Sequence, residues 1–313
     1  MRRTWRAWTE GGGAMRLALV WVVTCCVWGT VWLFIKLGLR DLPPVSFAGI
    51  RLAVAVALLL PAVAARRRGL PRGVRDLAFI AGTGLLLLGA NYALLFWGAR
   101  FIPSGLTAVL QAATPVFGLA FAHYLLPEER FTPAKLGALA LGVAGVAVIF
   151  SDQLRVAGWA ALAGSAAVAG GAICVALAYV VVKARGGHLD PLTLMTGQML
   201  AAMIPLLAFG FAREGNPLHF RWTQTATASL LYLAVVGSVV GFGLNYWLLR
   251  RMGAMKLLLM SIPEPLIAVV LGAVVLEESL TARTALGGAL ILTSVALLLP
   301  RRTADAATRR TGA

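Results

Sequence analysis

The sequence predicts an all-α membrane protein, with ten transmembrane helices arranged as two inverted-topology five-helix repeats around a central cavity. Three observations predict it. Sixty per cent of the residues are apolar and 13% charged, with a mean hydropathy of +0.85, whereas an ordinary soluble domain carries about 25% charged residues. Apolar runs near the length needed to cross a bilayer, roughly 20 residues, recur ten times. Anchor residues in the first half return in the second at a nearly constant displacement.

The first run, 17–35, follows Arg2, Arg3, Arg6 and a Gly11-Gly12-Gly13 stretch. It continues without a small-residue cleavage site after a short apolar core, so it reads as a spanning helix and not as a removable signal peptide. Residues 1–14 are expected to be a cytoplasmic tail, or an artefact if translation starts at Met15. Runs at 45–65 and 77–98 flank a loop rich in arginine, and 104–126 contains Pro115, which predicts a bend. The shortest run, 134–150, closes the first repeat, 15–150. The second repeat, 151–300, holds runs at 156–182, 191–212 with Pro205, 225–249, 254–276 with Pro263 and Pro265, and 283–300. Gly237-x-x-x-Gly241 in the eighth run predicts close helix contact. Residues 301–313 form a second tail.

Orientation follows from the basic residues, which favour cytoplasmic loops. Alternate loops and tails carry twenty Lys and Arg on one side and seven on the other. Both termini are therefore expected in the cytoplasm, with the chain in a bacterial inner membrane. The same distribution explains the net charge of +16 without nucleic acid as a partner, because the charges sit in short gaps between spans and form no stripe.

The duplication is read from Lys36, Pro44 and Arg51, which correspond to Lys183, Pro191 and Gln198 at a displacement of 147. Glu129-Arg130-Phe131-Thr132 returns as Glu278-Ser279-Leu280-Thr281 at 149. Five spans per copy is an odd number, so the second copy enters the membrane upside down. Inverted repeats are a signature of secondary transporters, with the substrate site at the repeat interface near the midplane.

Trp28-Gly29, the Lys36, Pro44 and Arg51 spacing, the Glu-x-x-Thr boundary in both halves and Glu264-Pro265 resemble the EamA family of the drug/metabolite transporter superfamily. The resemblance covers residues 15–300. It implies ten helices around a central cavity and export or exchange of small polar metabolites, often amino acids or related compounds. Gln198 departs from the arginine of the first copy, and Glu264 has Thr114 as its counterpart, so the two halves differ chemically.

Glu264 is the most informative residue. A carboxylate near the middle of a span costs about 2.5–3.5 kcal/mol on insertion scales and marks a functional site by default. Three roles compete: a proton carrier, a ligand for an ammonium group, or an ion-pair partner of Arg51. Arg51 lies inside the second span and reads as a ligand for an anion or as a snorkelling side chain. Asn91, Gln111, Gln198 and Asn245 are amides within spans, suited to reading a polar substrate or to joining helices. Trp28 and Trp32, four apart on one face of the first span, either enclose a substrate or pack. Glu128, Glu129, Glu277 and Glu278 lie at span ends and read as boundary or gate residues in water or headgroups.

The remaining patterns exclude other classes. Cys25, Cys26 and Cys174 have neither disulfide nor zinc-ligand spacing and read as packing residues. His123, His188 and His219 belong to no catalytic or metal-binding motif, and no glycine loop suits phosphate binding. No cofactor is implied and an enzyme is not expected. A channel or a non-transport membrane scaffold is the alternative to a transporter. The expected partners are the lipid bilayer, a small-molecule substrate and, as a coupling ion, protons. One chain holds both inverted copies, so a monomer suffices, although a dimer remains compatible.

Overall fold

Leucine, alanine and valine with few interruptions leave the backbone one way to satisfy its polar groups within lipid, the helix. The structure, a computed structural model, describes residues 12–65, 73–126, 132–156, 158–249, 251 and 262–298. Ten helical spans run through them: α1 (Gly12–Gly38), α2 (Pro44–Ala65), α3 (Val74–Gly98), α4 (Ser104–Leu125), α5 (Pro133–Val156), α6 (Gly158–Arg185), α7 (Pro191–Glu214), α8 (224–249), α9 (Pro263–Leu276) and α10 (Ala282–Leu298). The described residues contain no strand. The first eight spans are long and apolar enough to cross a membrane, and α9 and α10 are shorter apolar helices. The protein is an integral membrane protein. Residues 1–11 of the first tail, the second tail, Glu128, Glu129-Arg130-Phe131 and residues 254–261 of the predicted ninth span lie outside the described residues, and residues 12–14 of the first tail belong to α1.

Local chemistry sets several helix starts. Pro191 opens α7 behind the cap Asp190, whose carboxylate accepts from the Thr193 N–H. Thr223 caps α8 by accepting from the Ala226 N–H at 3.1 Å. Gly158, with φ of +75°, opens α6 in a conformation that disfavours side chains. Large apolar residues such as Leu19, Ile204, Phe209 and Val274 remain exposed on the outside of the bundle, as a lipid-facing surface requires.

Packing follows the duplication. Repeat-equivalent helices lie on each other, α2 on α7 and α5 on α10. Three further contacts have exchanged counterparts: α1 on α9 with α6 on α4, α3 on α7 with α8 on α2, and α3 on α6 with α8 on α1. This is the pattern of a pseudo-two-fold axis. Between α5 and α10 the approach is so close that a methyl group at Gly145 would lie 2.6 Å from the Gly287 carbonyl oxygen. Small residues permit such contact, and close packing holds helices together where lipid removes the hydrophobic drive.

At one end of the bundle, polar side chains tie helix termini across helices. Lys36 donates to the Ala99 and Ile102 carbonyls at 2.8 and 2.7 Å, a cation at the C-terminal end of α3 where the macrodipole favours it. Glu214 accepts from the Val45 and Ser46 N–H groups at the start of α2. Glu278 accepts from the Ser104 N–H and hydroxyl at 2.8 and 2.6 Å. Expected in water or headgroups, Glu278 instead folds back over Gly272 to cap α4. It does so because Glu277 adopts a left-handed conformation (φ 56°) that directs the Glu278 N–H to the Gly272 carbonyl.

Three irregularities shape the interior. The third helix of each repeat widens into π-helical turns, Leu85–Ala90 in α3 and Tyr232–Val240 in α8, and these segments begin 147 residues apart. In α4 the helix breaks at Ala112–Ala113. The predicted bend at Pro115 is therefore displaced toward the N-terminus, because a proline at the second position of a new segment starts a helix without losing a bond.

Candidate functional site

Between the two repeats lies a cavity of about 190 Å³, lined by side chains from α1, α2, α3, α4, α6, α8 and α9. Its walls are mostly aromatic and aliphatic. Among the residues singled out from sequence, Trp28, Trp32, Arg51, Asn91, Gln111 and Glu264 line it. Gln198 and Asn245 do not belong to its lining. Gln198 is buried and donates to the Thr83 hydroxyl at 2.9 Å, so it joins α7 to α3. Asn245 is half-buried farther along α8.

Arg51 enters from α2, seven residues past Pro44. It is 3% exposed, so it does not snorkel. Its Nε donates to the Ser238 hydroxyl at 3.2 Å, and its guanidinium stands 5.0 Å from the centre of the Tyr92 ring, within range for a cation–π contact. Ser238 in turn donates to the Leu233 carbonyl, five residues back, at 3.0 Å. The widened turn of α8 thus presents the hydroxyl that fixes the arginine. Gly237 supplies the clearance: a methyl there would lie 3.3 Å from Arg51 Nη2. The predicted glycine pair on α8 therefore makes room for site side chains, since a methyl at Gly241 would meet Trp28 Nε1 at 2.6 Å.

Glu264 enters from α9. It occupies the first turn of that helix, next to Pro263, where the positive end of the helix dipole favours a carboxylate. Arg51 and Glu264 face one cavity, yet the described structure contains no ion pair between them. Of the three roles open to Glu264, the ion pair with Arg51 is therefore not formed in this structure. The cavity thus presents a guanidinium and a carboxyl group that do not pair with each other.

The amides Asn91 and Gln111 line the same cavity. Gln111, at the break in α4, donates to Asn91 Oδ1 at 3.0 Å, and Gly171 on α6 leaves the space that the Asn91 side chain fills. Trp28 meets Phe242 edge to face at 5.9 Å. Trp32 lines the cavity with its indole N–H buried and without a hydrogen-bond partner among the described residues. No group of three or more His, Cys, Asp or Glu among the described residues is arranged to hold a metal ion.

Sequence reasoning missed Ser238, Tyr92 as the support of Arg51, and Phe242. One signal was available for Ser238. The displacement of 147 that relates Lys36 to Lys183 relates Asn91 to Ser238, whereas pairing Asn91 with Asn245 requires 154 and breaks register.

Comparison with known proteins agrees with this architecture. A profile of the EamA-like transporter family matches residues 16–151 and again 162–299. The chain is 29% identical over 267 residues to "Uncharacterized transporter YoaV" of Bacillus subtilis, covering 85% of this chain and 90% of that one. It is 29% identical to a "Probable amino-acid metabolite efflux pump" of Escherichia coli, with 89% and 92% covered. With a "Probable terminal-alkyne amino-acid exporter" of Streptantibioticus cattleyicolor the identity is 30%, with 91% and 94% covered. One solved crystal structure superposes with a TM-score of 0.59 over 96% of this chain and 99% of its own, at 20% identity, a likeness of fold alone.

Proposed function

The chain belongs to the EamA-like transporter family, and on that premise we propose that it is a secondary active transporter of small polar metabolites such as amino acids or amines, working by alternating access as an exporter or exchanger. The observation that carries the proposal is the cavity between inverted repeats, with a guanidinium and a carboxyl group in its lining that form no ion pair with each other. A buried charge is costly unless it is compensated, and a polar substrate compensates both. The names of the amino-acid relatives support export and substrate class. The imbalance of basic loops supports both termini in the cytoplasm, and the bacterial relatives support an inner-membrane location.

In this reading the two five-helix halves rock about the cavity, and Glu264 couples transport to protons by changing charge as its access to water changes. The test compares wild type and Glu264→Gln in proteoliposomes, using a labelled amino-acid and amine panel with and without an imposed pH gradient. Gradient-driven flux is expected to vanish in the variant while exchange at equal pH persists. Gradient-driven flux equal to wild type would rule out Glu264 as the coupling group. Failure of wild type to move any member of the panel would reject the substrate class.

A further inference from the structure

A carboxylate subsite is built into the wall of the cavity. Arg51 is preset before any ligand arrives: Nε is committed to Ser238 at 3.2 Å, the guanidinium carbon stands 5.0 Å from the centre of the Tyr92 ring, and Gly237 leaves room for Nη2. A guanidinium held by its inner nitrogen directs its remaining donors as a fixed fork, the geometry that matches a planar oxyanion through two parallel bonds. Trp32 lines the same cavity with an indole N–H that is buried and lacks a protein acceptor among the described residues. Buried donors are seldom left unmatched, and a ligand oxygen relieves that cost.

We infer that the substrate carries a carboxylate, which docks on the Arg51 fork with the Trp32 indole N–H as an additional donor, and that Ser238 is the positioning residue of this subsite. The inference rests on the proposed transport of small polar metabolites and narrows it: amines that lack a carboxylate are poor substrates. The charge is not neutralised from within, because Glu264 makes no ion pair with Arg51 in the described structure. Glu264 is left for the opposite end of a zwitterion or for the coupling ion. Gln111 and Asn91 bond to each other and do not compete for the guanidinium.

The experiment uses the full chain in proteoliposomes, with leucine and serine as probes, each beside its amide and its decarboxylated amine. Flux of each labelled probe is measured for wild type, Ser238→Ala, Trp32→Phe and Arg51→Lys. Wild type is expected to prefer acid over amide by about tenfold or more, the penalty for leaving a designed hydrogen-bonding site unmatched. Ser238→Ala and Trp32→Phe are each expected to shrink that ratio severalfold, through KM of the acid and not of the amide. Arg51→Lys retains the charge but loses the fork, and is expected to bring the ratio near one.

A ratio near one in wild type overturns the subsite while leaving transport intact. A ratio unchanged in Ser238→Ala overturns the positioning role, because a merely structural loss lowers acid and amide flux together. Flux of none of the probes rejects the proposed substrate class and the subsite with it.

Discussion

At Gly241 the edge of an indole and the backbone of α8 nearly touch, and the site depends on that clearance. A methyl group there would lie 2.6 Å from Trp28 Nε1, whereas one at Gly243, on the same helix, would meet no heavy atom within 4 Å. Overpacking costs about 1–3 kcal/mol, while glycine to alanine in an open helix position gains up to about 1 kcal/mol. Gly241→Ala is therefore expected to lower thermal stability in detergent and reduce substrate affinity, and Gly243→Ala to do neither. Equal stability of the two variants would remove the slot from the account. Arg51 and Glu264 were legible in the sequence because a charge within an apolar span is expensive and stands out. Their supports were less so: Gly237 was legible only as a helix contact and Ser238 only through the repeat displacement from Asn91, and the bond that gives Ser238 its role joins residues 187 apart. The pairing of Gln111 with Asn91 was hidden for the same reason.

Among elements, the second helix of each repeat reaches the π-widened third helix of the other. Arg51 on α2 bonds Ser238 on α8, and its counterpart Gln198 on α7 bonds Thr83 on α3. The two ties start from equivalent positions but end eight residues apart in register, Thr83 lying before Asn91, the counterpart of Ser238, and they differ in kind, charged and cavity-facing in one case, neutral and buried in the other. Interhelical bonds of the second kind average about 0.6 kcal/mol in lipid and reach about 1.7. A double-mutant cycle on Gln198→Leu and Thr83→Val is expected to return a coupling in that range with no change in substrate preference. A change in acid-to-amide selectivity instead would move Gln198 into the binding machinery. The spans themselves were legible, because about twenty apolar residues leave little choice but a membrane helix. The π turns were not: Leu85–Ala90 and Tyr232–Val240 are as apolar as their surroundings, and widening a turn depends on what packs against it. Pro115 predicted a bend in α4, but the break depends on where the new segment starts and falls two to three residues earlier, at Ala112–Ala113.

For the whole molecule, the inverted repeat predicts that one cavity serves both faces of the membrane. One end of the bundle is tied by Lys36, Glu214 and Glu278, and the proposed orientation, with both termini in the cytoplasm, would put that end outside the cell. Ser279, exposed in the loop between α9 and α10, is therefore expected to react with an impermeant maleimide from outside intact cells when replaced by cysteine. Labelling only after the cells are opened would reverse the orientation. The fold at this scale was legible from repeat spacing and loop charge, whereas the exchanged helix contacts were not, since spacing relates positions without saying which surfaces meet. The measurement that bears most directly on the central claim places a single cysteine at Val175, a cavity-lining position on α6, after replacement of Cys25, Cys26 and Cys174. Reaction with an impermeant maleimide is then followed separately from each face of oriented membranes, with and without transported substrate. Labelling from both faces, slowed from both by substrate, is the predicted result. Labelling from one face alone, whether or not substrate is present, would contradict alternating access through this cavity.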